Sequence, residues 1–369
     1  MSELTAITMP KWGLMMEEGK VTAWLAREGD AVREGAEIAE IETSKITNVM
    51  EAPASGSLLR IVCEPDISVP VGQLLAVMGP TDADAAAVDA FIDTFEPMAG
   101  GDDGLAGGSP TVGAVDTALG AMTYAETGEG EPPLVLIHGF GGDRNNWLFN
   151  IDAWARTRRV VSVDLPGHGG SAKVVGAGDV KGLAGAVSQL LDALDLGRSI
   201  LVGHSLGAGV ALQVALDRPD RVAGLVAIAG LGFGGEVSPE FLERFITSER
   251  RKDLSAAVEM LFADPDLASR ELIDQLLAYK RIDGVQAALE AIAGQAMAPG
   301  AAAKLAGSLP QLSVPALALH GDADRVVAPP GSLPAAIETK IIPGVGHMPH
   351  MEAAGQVTAA VSEFAARLS

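Results

Sequence analysis

The strongest signal for the fold of this chain is residues 199–219, which read SILVGHSLGAGVALQVALDRP. An apolar, strand-like run leads into the pentapeptide GHSLG at residues 203–207, and a helical pattern follows as far as Pro219. The glycines of the pentapeptide permit a sharp turn where any Cβ would clash. This strand, turn and helix predict that Ser205 presents its hydroxyl at the carboxyl edge of a sheet. The alternative is an ordinary helix N-cap serine.

Strand-like apolar runs alternate with helical patterns from about residue 114 onward. Because such alternation places helices on the connections between strands, it predicts a parallel sheet covered on both faces. The strand-like runs are PLVLIHG, RVVSVDLPG, SILVGHS, GLVAIAG, PALALHG and TKIIPG.

Ser205 needs a base and an orienting acid, because a serine hydroxyl by itself is a weak nucleophile. An acid is available directly after the predicted strand PALALHG, where both Asp322 and Asp324 qualify. The segment TKIIPGVGHMPHMEAA then supplies two histidines, His347 and His350. From the residues alone, the choice within each pair stays open.

These features resemble the α/β-hydrolase fold, in which G-x-S-x-G occupies a strand–turn–helix and the order is serine, acid, histidine. The resemblance implies Ser205 as nucleophile, Asp324 in a G-x-x-D pattern as acid, and His347 in a G-H turn as base. It also implies an oxyanion hole formed by the N–H groups of Leu206 and of Phe140, which lies in an H-G-x turn.

The same resemblance implies a helical lid at about 232–310, where the periodicity becomes helical. Basic residues stand out there in an acidic chain: Arg250, Arg251 and Lys252, and then Lys280 and Arg281. Their ordinary interpretation is a solvated helix face. The alternative is a contact for a phosphorylated acyl acceptor.

The first 80 residues are strand-like and repeat once at a shift of 37 residues. Two copies are too few for a solenoid, so the repeat predicts a small all-β sandwich of two similar halves. Lys45 lies between the halves. The repeat pairs Gly19 with Gly56, Trp24 with Ile61, Val32 with Val69, Gly35 with Gly72, and Ile38 with Leu75.

The surroundings of Lys45 resemble a lipoyl domain, through ETSKI at residues 42–46 and EAPASG at residues 51–56. The related biotinyl domains place methionine on both sides of their lysine, whereas Ser44 and Ile46 flank Lys45 here. The resemblance therefore implies that Lys45 carries lipoic acid as an amide.

Residues 81–113 contain seven acidic residues and no lysine or arginine, and they include the run GGDDGLAGGSP. This composition predicts a flexible acidic linker between a lipoyl domain at 1–80 and an α/β-hydrolase-fold domain at 114–369. The stretch AAAVDAFIDTF within it is compatible with a short amphipathic helix, and that question stays open.

The whole chain resembles the dihydrolipoyllysine-residue acetyltransferase components of acetoin dehydrogenase complexes, through the lipoyl region, HGFGGDRNNWLFN at 138–150 and GHSLGAG at 203–209. The resemblance implies transfer of an acetyl group from the lipoyl arm to coenzyme A. It also implies a homo-oligomer whose partners are a thiamine-diphosphate-dependent dehydrogenase and a flavin-dependent dihydrolipoyl dehydrogenase. The alternative is a serine hydrolase or thioesterase, with water as the acceptor.

The formal net charge of −22 argues against nucleic acid and anionic membranes, both of which select basic surfaces. With one cysteine, Cys63, an intrachain disulfide is impossible. The N-terminal residues lack the pattern of a signal peptide, and no apolar run of about 18 residues exists. We therefore expect a cytoplasmic protein, and we expect no metal site.

Overall fold

The computed structural model describes residues 4–10, 18–33, 35–42, 47–81, 83–95 and 110–368. Two compact units divide the chain, Met1–Gly108 and Ser109–Ser369. The predicted boundaries, with a linker at 81–113 and a lid at about 232–310, stay predictions. Among the helices in these ranges, none has the length and apolar character needed to cross a membrane.

The first unit is a sandwich of two four-stranded antiparallel sheets. Its strands are β1 Thr5–Thr8, β2 Glu18–Trp24, β3 Ala31–Val32, β4 Glu37–Glu42, β5 Thr47–Glu51, β6 Gly56–Ile61, β7 Ser68–Pro70 and β8 Leu74–Gly79. One sheet has the strand order β1-β8-β6-β3 and the other has the order β5-β4-β2-β7. The all-β sandwich predicted from the repeat is therefore confirmed.

The internal repeat explains this strand order. A shift of 37 residues carries β2, β3 and β4 onto β6, β7 and β8, so three of the four strands in each sheet have a counterpart at the same place in the other. Alternate residues of each strand point inward and meet between the sheets. The core that results includes Ile7, Val21, Ile38, Ile41, Leu58 and Leu75, each no more than 1% exposed.

Helix α1, Ala85–Asp93, answers the question that AAAVDAFIDTF left open. It begins after Asp84, whose side chain accepts a hydrogen bond from the Ala86 N–H at 3.1 Å. Its one buried residue, Val88, packs against Leu74 and Val77 on the outer side of the first unit. Helix α1 therefore packs on β8 through apolar side chains.

The second unit is built on one eight-stranded sheet with the order β16-β15-β14-β13-β11-β12-β10-β9. The six strands expected from the apolar runs are present, and they run parallel to one another. The bounds are β9 Thr111–Thr117, β10 Gly120–Thr127, β11 Leu134–Ile137, β12 Val160–Val163, β13 Ser199–His204, β14 Val222–Ile228, β15 Ala316–Gly321 and β16 Ile337–Ile342.

Strands β9 and β10 form an antiparallel hairpin at one edge of this sheet, which the sequence analysis did not predict. No residue of β9 is fully buried and only Met122 of β10 is, so neither strand shows an apolar run. Because one face of such an edge hairpin is exposed to solvent, its sequence resembles that of a polar loop.

Helices cover both faces of the sheet, as predicted. Val135 and Ile137 point to one face, beneath α3 and α4, whereas Leu134 and Leu136 point to the other, beneath α2 and α11. The helices are α2 Ile151–Ala155, α3 Val180–Ala193, α4 Leu206–Asp217, α5 Pro239–Thr247, α6 Arg251–Val258, α7 Arg270–Lys280, α8 Val285–Gln295, α9 Ala301–Ala306, α10 Pro349–Glu352 and α11 Ala354–Ala366.

All six histidines of the chain lie in the second unit and are buried there. Burial lowers the pKa of His168 and of His350 to about 3, and the pKa of His320 to about 4. Burial likewise lowers the pKa of His138 and, further, that of His204. These five side chains are therefore neutral in the folded protein at pH values where free histidine is charged.

We expect the second unit to lose stability selectively in mild acid. Between about pH 6.5 and pH 4 the unfolded chain binds more protons at these histidines than the folded chain, so the free energy of unfolding falls as the pH falls. Each such group contributes on the order of 1 kcal/mol per pH unit in that window.

The measurement is hydrogen exchange by mass spectrometry from pH 7 to pH 5, corrected for the intrinsic exchange rate. The first unit contains no histidine and is the internal control. Protection that declines equally in both units, or not at all in the second, would contradict the prediction.

Candidate active site

The turn that presents Ser205 joins β13 to α4 and is strained. Ser205 has φ 51° and ψ −115°, a left-handed conformation that side chains rarely adopt. A Cβ on Gly203 would lie 2.4 Å from the Gly207 carbonyl oxygen, and one on Gly207 would lie 2.2 Å from the Ile137 oxygen. Both positions therefore require glycine, and the G-x-S-x-G spacing follows from this crowding.

Ser205, His347 and Asp324 form one hydrogen-bonded series. His347 Nε2 lies 3.0 Å from Ser205 Oγ, and His347 Nδ1 lies 2.8 Å from Asp324 Oδ2. Because a carboxylate only accepts, Nδ1–H donates to Asp324, which leaves the Nε2 lone pair facing the serine hydroxyl. Ser205 and His347 are each only 2% exposed, so the series is shielded from water.

The structure places Asp324, rather than Asp322, beside His347. The second oxygen of Asp324, Oδ1, accepts hydrogen bonds from the N–H groups of Val326 at 2.7 Å and Val327 at 2.9 Å. These bonds hold the carboxylate toward the imidazole. Asp322 instead accepts from the Gly344 N–H at 2.7 Å and braces the loop that leads to His347.

His350 does not contact the serine. Its buried ring packs between Trp147 and His204, with ring centroids 4.7 Å and 4.5 Å away. His204 Nε2 donates a hydrogen bond to the His347 carbonyl oxygen at 2.8 Å. His204, which directly precedes Ser205 in the chain, thus fixes the backbone of His347.

The N–H groups of Phe140 and Leu206 are available as a pair of donors. Within the described ranges, neither N–H has a hydrogen-bond partner. A Cβ on Gly139 would lie 3.1 Å from Ser205 Cβ, so the turn that carries Phe140 packs directly against the nucleophile turn. Leu206 also opens α4, where the helix dipole favours negative charge.

Two further histidines hold the Phe140 turn. His138 Nε2 accepts from the Leu165 N–H at 2.9 Å, and His168 Nε2 accepts from the Gly141 N–H at 3.1 Å. Both contacts require neutral imidazole, which agrees with the lowered pKa of each ring. Leu165 and His168 both lie in the stretch DLPGHG at residues 164–169, which is the local motif that could have indicated these contacts.

The region predicted as a lid is bonded to the loop that carries His347. The His347 N–H donates to the Leu261 carbonyl oxygen at 2.8 Å. The Glu352 carboxylate accepts from the Gly346 N–H at 3.0 Å, the Met348 N–H at 3.2 Å and the Ala263 N–H at 2.8 Å. Nothing in the sequence pattern pointed to Glu352, because its partners are backbone groups.

Lys45 lies outside the described residues. The strands on either side of it, β4 and β5, pair antiparallel with Glu42 opposite Thr47. β4 ends at Glu42 and β5 begins at Thr47, so Lys45 lies between these two strands in sequence.

Comparison with known proteins matches each unit to a family. Residues 132–354 match the family described as alpha/beta hydrolase fold, and residues 5–78 match the biotin/lipoyl family described as biotin-requiring enzyme. A meta-cleavage product hydrolase from Pseudomonas fluorescens superposes with a TM-score of 0.62 at 22% identity, over 70% of this chain and 99% of that one. This likeness confirms the α/β-hydrolase fold of the second unit.

Two relatives align with nearly the whole chain. A protein of Pseudomonas putida named dihydrolipoyllysine-residue acetyltransferase component of acetoin cleaving system is 42% identical, over 99% of each chain. A protein of the same name from Cupriavidus necator is 37% identical, over 96% of this chain and 95% of its own. With both units and nearly the full length shared, this chain belongs to the family of dihydrolipoyllysine-residue acetyltransferase components of acetoin cleaving systems.

Proposed function

We propose that this protein transfers an acetyl group from a lipoyl-lysine arm at Lys45 to coenzyme A, through an acetyl ester on Ser205. The observation that carries the proposal is the hydrogen-bonded series Ser205–His347–Asp324 in a chain that aligns with an acetyltransferase component over 99% of its length. The series supplies the nucleophile, base and acid that acyl transfer needs.

Lipoic acid bound to Lys45 supplies a dithiol that carries acyl groups and electrons, which protein side chains do poorly. The antiparallel pair β4 and β5 that brackets Lys45 supports attachment there. The ion pair between Lys20 Nζ and Glu42 Oε2, at 2.6 Å, commits the neighbouring lysine of this sheet to a structural contact.

The first half of the reaction forms the ester. Ser205 Oγ attacks the acetyl carbonyl of the thioester while its proton passes to His347 Nε2. Asp324 stabilises the imidazolium that results. The N–H groups of Phe140 and Leu206 donate to the developing oxyanion. The C–S bond breaks, and the proton on His347 goes to the departing thiolate.

The second half reverses these roles. The thiol of coenzyme A gives its proton to His347 Nε2 and attacks the acetyl ester. The C–O bond breaks, and Ser205 recovers its proton from His347. No charge or proton is left over, so the site is ready for another acetyl group.

Transfer to a thiol requires that water reach the ester slowly. The deep burial of Ser205 and His347 supports this, as does the packing of Phe245 of α5 on Phe140, with ring centroids 5.5 Å apart. The second candidate, a hydrolase with water as acceptor, is favoured by the hydrolase names of the structural neighbours. The two candidates differ in the acceptor alone.

In the complex that we infer, a thiamine-diphosphate-dependent dehydrogenase supplies the acetyl group and a flavin-dependent dihydrolipoyl dehydrogenase reoxidises the dithiol. A homo-oligomer would present several lipoyl arms to these partners at high effective concentration. Free thiols in the reaction suit a reducing compartment, which agrees with a cytoplasmic location.

The acceptor is tested by supplying S-acetyl-dihydrolipoamide with and without coenzyme A. We expect acetyl-CoA as the main product, and free acetate at a much lower rate when coenzyme A is omitted. Chromatography of both products gives the two rates. Acetate that forms equally fast in both reactions, with no acetyl-CoA, would establish the hydrolase instead.

Substitution tests whether the three side chains act together. We expect Ser205→Ala and His347→Ala each to reduce kcat by about 10⁴-fold or more, and the double variant to cost little beyond either, because the groups work as one unit. Asp324→Asn should be far more damaging than its matched control, Asp322→Asn. Additive losses, or a worse effect at Asp322, would refute this assignment.

Modification of Lys45 is tested on the native protein from a lipoate-replete source. Tandem mass spectrometry should find the lipoyl amide on the peptide that contains Lys45. Lys45→Arg should abolish turnover of the assembled complex, since no arm is charged, yet preserve transfer from free S-acetyl-dihydrolipoamide. Lys20→Arg is the control and should retain complex turnover. An unmodified Lys45 would overturn the assignment.

A further inference from the structure

An open cleft of about 480 Å³ lies between α6 and α7 of the second unit. Its lining residues are Arg251, Lys252, Ser255, Ala268, Arg270 and Ile273. Three of the six are cations and none is a carboxylate, in a chain with a net charge of −22. A concave surface with this lining attracts anions.

The Asp274 carboxylate lies beside the two arginines of the cleft. Arg251 binds Asp274 through two hydrogen bonds, of 2.6 Å and 2.9 Å, and Arg270 Nε lies 3.9 Å from the same side chain. Lys252 has no hydrogen-bond or ion-pair partner within the described ranges. Asp274 thus orients two guanidinium groups, and Lys252 and Arg270 keep charge available for a ligand.

The other three lining residues of the cleft are Ser255, Ala268 and Ile273. The Ser255 hydroxyl donates to Glu259 at 2.7 Å, so the cations rather than this hydroxyl are the groups for an anion. Ala268 and the buried side chain of Ile273 give an apolar wall. Cations beside an apolar wall suit a ligand that joins phosphates to a planar base.

Helix α6 connects this cleft to the reacting groups. Its eight residues rise about 12 Å, and the 3₁₀ turn Glu259–Leu261 that follows adds about 6 Å. At the end of that turn, the Leu261 carbonyl oxygen accepts the His347 N–H at 2.8 Å. Arg325, next to Asp324, donates to the Phe262 carbonyl oxygen at 2.9 Å and also to that of Glu259.

The cleft therefore begins no more than about 18 Å along the chain axis from the loop of His347. An extended pantetheine arm, with its two amides, spans roughly 15–20 Å by ordinary bond lengths. The length of a pantetheine arm thus matches the distance between the cleft and the loop that carries His347.

The other basic residues of this region are otherwise engaged. Lys280 is buried, and its Nζ donates to the carbonyl oxygens of Phe245 at 2.5 Å, Ile246 at 3.0 Å and Ser248 at 2.6 Å. It closes the end of α5, so Lys280 is neither part of a solvated helix face, the ordinary interpretation of its sequence, nor available for the alternative, a phosphate contact. Arg250 pairs with Asp253 at 2.8 Å and does not line the cleft.

We propose that the cleft between α6 and α7 binds the nucleotide-phosphate end of coenzyme A, with Lys252 and Arg270 as the anion contacts and Arg251 held in the cleft wall by Asp274. The proposal rests on the proposed acetyltransferase function and names where its acceptor is held. The sequence grouped Arg250 with Arg251 and Lys252, whereas in the structure Arg270, and not Arg250, lines the cleft with them.

The test compares two acceptors in the full chain. Lys252→Gln/Arg270→Gln should raise the KM for coenzyme A by about tenfold or more, with the larger effect at low salt and kcat nearly unchanged. The KM for pantetheine, which lacks the phosphates, should not change. Arg281→Gln, an exposed cation at the end of α7, is the matched control and should leave both KM values unchanged.

Direct binding separates failure of this proposal from failure of the proposed function. Calorimetry with coenzyme A and with adenosine 3′,5′-bisphosphate should show weaker binding to the double variant, whether or not acetyl-CoA forms. Equal affinities and equal KM values for the wild type and the double variant would overturn the cleft while leaving acetyl transfer intact.

Two other outcomes would also overturn it. A free nucleotide diphosphate such as ADP could bind the cleft without competing with coenzyme A, which would make the cleft an effector site. Alternatively, the KM for the lipoylated donor unit could rise while that for coenzyme A stays constant, which would assign the cleft to the acidic first unit. Competitive inhibition by ADP supports the proposal.

Discussion

A left-handed backbone at Ser205 is the constraint on which the geometry of the second unit depends. The residue can hold φ 51° because its carbonyl oxygen accepts from the Leu231 N–H at 2.9 Å and its N–H donates to Ile228 at the same distance. Glycine on either side lets α4 and the Ile137 backbone approach closely. The strain aims the hydroxyl at His347 and leaves the Leu206 N–H open, so a single turn positions both the nucleophile and one donor.

Buried neutral histidines are the second organising feature. His138, His168 and His204 each use a ring nitrogen to fix a backbone group beside the site. The rings of His138 and His168 must stay uncharged, because each accepts from a backbone N–H and a protonated imidazole has no lone pair with which to accept, whereas His204 donates. Burial keeps these rings neutral because it lowers the pKa of each imidazole. The same shift lowers the free energy of unfolding as the pH falls. The precision of the site and the acid sensitivity of the unit therefore have one origin.

The helical region at 232–310, predicted as a lid, is bonded to the loop that carries His347. Leu261 and Ala263 bond to the His347 loop directly or through Glu352, and Phe245 packs on Phe140. A ligand that contacts α6 would therefore act on the same segment that holds the base. In the first unit the constraint is different: two similar sheets close on a shared core.

The amino-acid sequence alone predicted the two folds, and it singled out the residues in tight turns that we propose for the site. G-x-S-x-G, H-G-F and G-H are readable because steric crowding demands glycine at fixed spacing, and the 37-residue repeat is readable because each half forms the same strands. It missed β9 and β10, since half-solvated edge strands carry no apolar run. From the residues alone the choices between Asp322 and Asp324 and between His347 and His350 stayed open, and the resemblance to the α/β-hydrolase pattern implied Asp324 and His347. The tertiary structure brings Asp324 and His347 together with Ser205, because side-chain direction distinguishes residues two or three positions apart. The tertiary structure also placed Arg251 and Arg270 in the same cleft, and it showed that Lys280 is buried and hydrogen-bonded to carbonyl oxygens. Contacts between helices that are distant in sequence leave no local pattern from which to predict this.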